Sequence, residues 1–200
     1  GPGTGKTFTL IESIKKVHRD MPDKKMIAHL LRNVGWQKLL WQPPLLRLPA
    51  GMEVDFGGVV KEYAADAIAT ILRNQDVRHG LIELAGDISI IGPHPGGEAW
   101  KIGVRDPGNP DSAIATIDAF EGAVASSGNY ERFMIVDGKR YCHILNPQTG
   151  WPENSVAGVS VHASTCLVAG TATTTAMLLG AVQGRKWLQE GQFQYLLLEV

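Results

Sequence analysis

Glycines, a carboxylate and a lysine come together in the segment around Gly57 and Gly58. Asp55 precedes the glycine pair, and Lys61 follows it at the distance of one helical turn. Glycines let a ligand approach the backbone, and the N-terminal N–H groups of a helix attract an anion. We therefore predict a phosphate-binding turn here. The alternative is a plain strand-to-helix turn in which Asp55 is only a helix cap.

Three further segments combine hydroxyl, charged and small residues. His143 has a side chain whose pKa near neutrality suits a general base, although a structural histidine is the alternative. The threonines that follow Gly170 offer hydroxyl oxygens, and here the alternative is a packing face of small residues. The three segments are residues 126–132 (SSGNYER), 141–147 (YCHILNP) and 169–176 (AGTATTTA).

Two long helices are predicted from apolar spacing. The first begins near Gly58 and covers 59–72, where apolar residues recur every three or four positions. The second covers 165–182 and is closed by Gly184. The apolar face of the first helix is predicted to consist of Val60, Tyr63, Ala64, Ala67, Ile68 and Ile71.

Strand-like runs fill most of the remaining chain. Asp137-Gly138 lies between two of them and predicts a hairpin. Because the strands come in succession with few helices between them, we predict an α+β fold with a largely antiparallel sheet and two long helices. The runs are 34–48 (two short strands around Pro43-Pro44), 81–91, 99–104, 114–125, 133–136, 139–145, 156–163 and 195–200.

Length and composition indicate one globular domain. The chain has 200 residues, 44% of them hydrophobic, and its 19 basic and 20 acidic residues leave a formal charge of −1. We therefore expect a packed core and do not expect nucleic acid as a partner. The apolar run from Val168 to Val182 is shorter than the roughly 20 residues of a membrane span, which predicts a soluble chain. Cys142 and Cys166 lack metal-site spacing and are expected to be buried thiols.

The first residues resemble the end of a P-loop. Gly3-Thr4-Gly5-Lys6-Thr7 fits its last positions, but no hydrophobic run ending in Asp-Glu follows to hold Mg²⁺. An ATPase fragment is therefore the least favoured function. We set residues 1–33 apart as an N-terminal segment of uncertain role, P-loop-like at 1–7, and take 34–200 as the main domain.

Taken together and in this order, the four segments resemble the FAD:protein FMN transferases of the ApbE family. The likeness starts near Val34 and runs to Glu199. It implies an ApbE-like domain over 34–200 that is incomplete at its N-terminus. It also implies Mg²⁺-dependent transfer of FMN from FAD to a Thr or Ser hydroxyl of an acceptor flavoprotein, with release of AMP. An FAD-binding or FAD-hydrolysing homologue with a weakened metal site is the alternative.

The resemblance also assigns roles to single residues. Asp55 matches an aspartate that contacts FAD, and Gly58 matches a residue whose backbone carbonyl helps to hold Mg²⁺. Lys61 matches a lysine near the flavin nucleotide. His143 matches the histidine proposed as the base that accepts the proton of the acceptor hydroxyl, and this histidine also belongs to the cofactor site. Ile144 matches a residue beside the cofactor.

The last helix departs from the family pattern. The family usually has Ala-Asp-Ala-Leu-Ser-Thr-Ala there, and its Asp and Thr complete the metal site. Thr174 matches the Thr, whereas Gly170 stands at the Asp position. Since Mg²⁺ prefers anionic oxygen, we expect weaker metal binding, and we expect Gly170→Asp to lower the Mg²⁺ requirement. The resemblance also implies a location on the periplasmic side of the inner membrane, and a cytoplasmic location is the alternative.

Overall fold

A computed structural model describes residues 24–54, 56–109, 111–130, 133–136 and 138–200. Within these residues the chain forms three α-helices: α1 (Lys24–Leu31), α2 (Val60–Asn74) and α3 (Cys166–Glu190). A 3₁₀ turn spans Trp36–Lys38. The strands are β1 (Leu40–Gln42), β2 (Leu45–Arg47), β3 (Gly80–Leu84), β4 (Asp87–Gly92), β5 (Trp100–Arg105), β6 (Ala113–Ala119), β7 (Ala123–Gly128), β8 (Phe133–Val136), β9 (Lys139–Cys142), β10 (Val156–Ala163) and β11 (Gln194–Glu199).

The central element is a five-stranded sheet in the order β11-β10-β7-β4-β3. All of its neighbouring strands are antiparallel. The other strands form two-stranded pairs, β1 with β2, β5 with β6, and β8 with β9. The predicted α+β fold with largely antiparallel pairing is confirmed, and so is the hairpin around Gly138. Asp137 of that hairpin lies outside the described residues.

Helix α3 covers one face of the sheet. Its alanines and Met177 pack against β10 residues in the main hydrophobic cluster, in which Val156 and Val161 are fully buried. Small residues on α3 allow the helix to lie close to the strands. By length and composition α3 could cross a membrane, but half of its most apolar window is buried within the protein, as also occurs in core helices of water-soluble proteins.

The predicted end of α3 at Gly184 is wrong, because the helix continues to Glu190. Gly180 adopts a left-handed conformation with φ 78° and kinks the helix without ending it. The Ala181 N–H freed at the kink donates to Oγ of Ser155 at 2.9 Å. Since a side-chain acceptor satisfies the broken helical bond, the chain resumes its helix.

The predicted apolar face of α2 is also wrong. Tyr63 is 65% exposed and Ile71 is 56% exposed, whereas Glu62, Ala65 and Ala69 are buried. This helix packs against β3, β4 and α3. The helix lies close to these neighbours along one stripe, so the stripe contains the alanines together with Glu62, and the large apolar residues face outward.

Several predicted strands are split by turns. The run 81–91 is a hairpin that turns at Ala85 and Gly86, both with positive φ. The run 114–125 divides at 120–122 into β6 and β7, which belong to different sheets. The strand predicted over 139–145 ends at Cys142, and Leu145 forms only an isolated bridge with Pro152.

Candidate functional site

A cluster of buried charged side chains lies where α2 meets β4. Lys61 and Glu62 belong to the first turn of α2, and Asp87 is the first residue of β4. The Lys61 ammonium forms an ion pair with Oδ2 of Asp87, whose side chain is only 3% exposed. Glu62 is 6% exposed. Two buried carboxylates therefore lie beside one ammonium that stays partly exposed to water.

Glu62 extends to the backbone of α3 at Gly170. A Cβ atom at position 170 would lie 2.7 Å from Cγ and 2.9 Å from Oε1 of Glu62. Such distances are shorter than a normal contact, so a side chain at position 170 would require Glu62 to take another conformation. Oε2 of Glu62 is buried and has no hydrogen-bond partner within the described residues.

Burial is the main cause that raises the pKa of the Glu62 carboxyl above its ordinary value. A hydrogen bond from the backbone of Glu62 and the charge of Lys61 oppose this rise, whereas the charge of Asp87 and a side-chain hydrogen bond with Asp87 add to it. The ionised carboxylate is therefore poorly compensated where it lies. A cation bound at Oε2 would remove that penalty.

Asp66 fixes the start of α3 against α2. Its Oδ1 accepts hydrogen bonds from the Cys166 N–H at 2.8 Å and the Ser89 hydroxyl at 3.1 Å. Its Oδ2 accepts from the Leu167 N–H at 2.9 Å. Thr165 caps the same turn, because its Oγ1 accepts from the Val168 N–H at 3.2 Å. These bonds hold α2 and the first turn of α3 together and so set the position of α3 relative to α2.

The surroundings of Cys166 show that the first turn of α3 lies in a negative potential. Burial, followed by the charges of Asp87, Asp66 and Glu62, raises the pKa of the Cys166 thiol to about 12. The thiol is fully buried and stays protonated at neutral pH. This turn therefore disfavours a thiolate.

The threonine run lies on α3 after Gly170. Thr173 is fully buried; its hydroxyl donates to the Gly170 carbonyl at 2.9 Å and bonds to the Ser127 hydroxyl at 2.9 Å. This pair ties α3 to β7. Thr174, the residue matched to the family's metal site, is half-buried one turn after Gly170.

The predicted phosphate-binding turn is partly occupied by the protein itself. The N–H groups of Val59 and Val60 both donate to the Phe56 carbonyl, at 2.9 and 3.0 Å. Gly58 is half-buried in this turn, and Asp55 lies outside the described residues. Two of the N–H groups that an anion would use are therefore already bonded.

His143 and Ile144 lie in the bend that follows β9. His143 is half-buried, and Ile144 is 7% exposed in the cluster that contains Ala169 and Ala172 of α3. The Cys142 thiol donates to the Ile144 carbonyl at 3.5 Å. The side chain of Ile144 therefore anchors the bend to the core, and its role beside a cofactor stays a prediction.

Sequence reasoning assigned no role to Glu62, Asp66 or Asp87. One signal was available, since Glu62 is spaced three and seven residues from Ala65 and Ala69, on the small-residue stripe of α2. Among the described residues no group of three or more His, Cys, Asp or Glu side chains is arranged to hold a metal ion. A cation at this site would therefore also need backbone, hydroxyl or nucleotide oxygens.

The curated proteins that this chain resembles share one name. A curated FAD:protein FMN transferase of Klebsiella pneumoniae is 35% identical over 136 residues, which are 67% of this chain and 41% of that protein. One from Chlamydia pneumoniae is 30% identical over 178 residues, 85% of this chain and 54% of that protein. This chain thus spans about half, or less, of their length.

Solved structures show the same fold. The ApbE protein of Thermotoga maritima superposes with a TM-score of 0.83 at 33% identity, over 90% of this chain and 60% of that one. The flavinyl transferase ApbE of Pseudomonas stutzeri gives 0.76 at 27% identity, over 88% and 55%. The family model described as "ApbE family" matches residues 2–197. Because that match covers nearly all of the sequence, this chain belongs to the ApbE family.

Proposed function

We propose that the protein transfers FMN from FAD to a Thr or Ser hydroxyl of an acceptor flavoprotein and releases AMP. The observation that carries this proposal is the family match over residues 2–197, together with curated relatives named FAD:protein FMN transferase. On the family resemblance alone we further propose that it works on the periplasmic side of the inner membrane.

The residues of the α2–α3 contact fit a divalent cation. Glu62 offers a buried oxygen without a hydrogen-bond partner, and Gly170 leaves open the space that this carboxylate fills. In this proposal the Gly58 carbonyl oxygen and the Thr174 hydroxyl oxygen are further ligands of the cation. When bound, Mg²⁺ would offset the negative charge of the FAD diphosphate.

The protein's own groups then have distinct tasks. Lys61 is 39% exposed at its side chain, so its ammonium can attract a phosphate while it stays near Asp87. A ring nitrogen of His143 accepts the proton of the acceptor hydroxyl. The hydroxyl oxygen bonds to the FMN phosphorus, the bond from that phosphorus to the bridging oxygen breaks, and AMP leaves with that oxygen. Water in place of the hydroxyl gives free FMN and AMP.

A second candidate is a homologue that binds or hydrolyses FAD without transferring FMN. Gly170 is the observation that favours it, because the family usually has a carboxylate at that position. In this case the protein would hold FAD with a weakened metal site.

AMP release from FAD tests the proposal. The full-length protein is incubated with FAD, Mg²⁺ and a threonine-containing acceptor peptide, and both AMP and the mass of the peptide are measured. We expect AMP and an FMN-modified peptide. His143→Ala should slow both by at least about 100-fold, the usual contribution of a general base. His79→Ala is the matched control, since His79 lies at the exposed start of β3 and bonds to the Pro93 carbonyl.

Other outcomes would decide against transfer. AMP formed without any modified peptide identifies an FAD hydrolase. Tight FAD binding with no AMP at any Mg²⁺ concentration identifies a flavin-binding protein and ends the transferase proposal.

A further inference from the structure

The pairing of Glu62 with Gly170 leads beyond the family pattern. We propose that Glu62 of α2 supplies the anionic oxygen for the divalent cation, in place of a carboxylate on α3. Position 170 is then glycine because the Glu62 side chain fills the space that a side chain there would need. The proposal rests on the cation of the proposed function, and it assigns that cation's protein carboxylate.

The first support is steric. An added Cβ at position 170 would lie 2.7 Å from Cγ, 2.9 Å from Oε1 and 3.2 Å from Cδ of Glu62. The carboxyl end of Glu62 therefore occupies the start of any side chain attached to α3 at this point. A side chain at position 170 is therefore incompatible with the observed conformation of Glu62, and carboxylates attached at these two positions would occupy neighbouring space.

The second support is the distribution of partners among the nearby carboxylates. Asp66 accepts three hydrogen bonds, from Cys166, Leu167 and Ser89. Oδ2 of Asp87 also has no hydrogen bond of regular geometry within the described residues, but it forms the ion pair with the Lys61 ammonium. Oε2 of Glu62 is buried and has no hydrogen-bond partner within the described part of the chain. A buried carboxylate oxygen in this state is costly unless a cation or a donor reaches it.

The third support is the charge of the cluster. With both carboxylates ionised, the partly exposed Lys61 balances one of Glu62 and Asp87, which leaves one negative charge on a buried carboxylate. Mg²⁺ binds hard anionic oxygen and tolerates neutral oxygen for its other ligands. One carboxylate, a hydroxyl, a backbone carbonyl and nucleotide phosphates match that preference.

The structure also changes the expectation for Gly170→Asp. Introduced alone, this aspartate would overlap Glu62 and would not lower the Mg²⁺ requirement. Combined with Glu62→Ala, the same substitution returns a carboxylate to the site from the other helix. An aspartate at position 170 should therefore replace Glu62 as the metal-binding carboxylate only when Glu62 is removed in the same protein.

Mn²⁺ binding measured by electron paramagnetic resonance tests this inference without any turnover. The full-length protein is titrated with Mn²⁺, alone and with FAD, and the signal of free Mn²⁺ is recorded. Four proteins are compared: the unchanged sequence, Glu62→Gln, Glu62→Ala with Gly170→Asp, and Glu190→Gln. The last is the matched control, because it makes the same chemical change at the exposed end of α3.

We expect Glu62→Gln to weaken Mn²⁺ binding by more than about tenfold, since even groups that only support a metal ligand contribute 10- to 100-fold. The double variant should bind Mn²⁺ within about tenfold of the unchanged protein, and Glu190→Gln should not differ from it. Thermal unfolding in EDTA establishes that each variant is folded.

Three results would overturn the inference: no Mn²⁺ binding by the unchanged protein with or without FAD, unchanged binding by Glu62→Gln, or no binding by a folded double variant. Failure of the transferase proposal has a different signature. In that case Mn²⁺ binding depends on Glu62, yet the unchanged protein forms no FMN-modified peptide.

Discussion

At the residue scale, the carboxylates at the α2–α3 contact differ in what surrounds them. Asp66 is satisfied by donors from α3 and β4, Asp87 by Lys61, and Glu62 by neither. In the sequence all three are simply acidic residues near glycines or alanines. Their separate roles depend on contacts between residues far apart in the chain, so sequence reasoning could locate Lys61 and Gly170 but could not pair Glu62 with either.

The Cys166 thiol gives a prediction for alkaline pH. Its folded-state pKa of about 12 lies above the ordinary value of 9.0, so the folded protein holds the thiol proton longer than the unfolded chain does. The stability from this group is complete below pH 9 and is lost as pH rises toward 12. The loss amounts to at most about 1.4 kcal/mol per pH unit.

We expect the free energy of unfolding to fall more steeply above pH 9 in the unchanged protein than in Cys166→Ala. Urea unfolding at several pH values, without divalent metal, measures both slopes. The alanine variant carries a constant loss from its missing sulfur, which does not affect the slope. Parallel curves between pH 9 and 11 would contradict the predicted pKa effect.

At the element scale, the sequence predicted the two long helices correctly but did not predict which face of α2 is buried or where α3 ends. Periodicity found α2 and α3 because both contain long apolar repeats. It failed on the face of α2, where the close contact with the sheet and α3 buries alanines while tyrosine and isoleucine face outward. It failed on the end of α3 because Gly180 and Gly184 look alike in sequence, and only the Ser155 hydroxyl at the kink shows why the helix continues.

The kink at Gly180 can be tested by substitution. In Gly180→Ala the new Cβ would meet Oγ of Ser155 at 3.1 Å and Cδ of Glu153 at 3.2 Å, in a conformation with φ 78°. With ψ 175° this positive-φ backbone is one that essentially only glycine adopts, and it alone costs about 1–3 kcal/mol for alanine. Displacing Ser155 would add the loss of its hydrogen bond to Ala181.

Gly138→Ala is the matched control for this prediction. Gly138 has φ 73°, and a Cβ there meets nothing within 4 Å, so its substitution reports backbone strain without steric conflict. Urea unfolding should show a larger loss of stability for Gly180→Ala than for Gly138→Ala. Equal losses of stability would contradict the prediction, because the side chains of Ser155 and Glu153 could then move aside without lowering the free energy of unfolding.

At the scale of the whole molecule, the order of chemical segments was more informative than any single motif. The four segments identified the family, and the antiparallel α+β fold was predicted from strands in succession. The P-loop-like run at 1–7 lies outside the described residues, although the family match begins at residue 2. The division at residue 33 stays a prediction.

The proposed location is testable on the whole protein. We expect an alkaline phosphatase fusion to the full-length protein to be active in intact cells, because that reporter needs the oxidising periplasm. A green fluorescent protein fusion that folds in the cytoplasm serves as the reciprocal control. Fluorescence without phosphatase activity would place the protein in the cytoplasm.

The hydrogen bonds that the Asp66 carboxylate accepts from the Cys166 and Leu167 N–H groups join residues about 100 positions apart in the chain. During synthesis, α2 leaves the ribosome long before α3 exists, and until then Glu62 has no Gly170 to lie against. Contacts of such sequence separation form late because a long loop must close first. We therefore expect the contact between Glu62 and Gly170 to form late in folding, so that a partly folded chain would lack the proposed cation site.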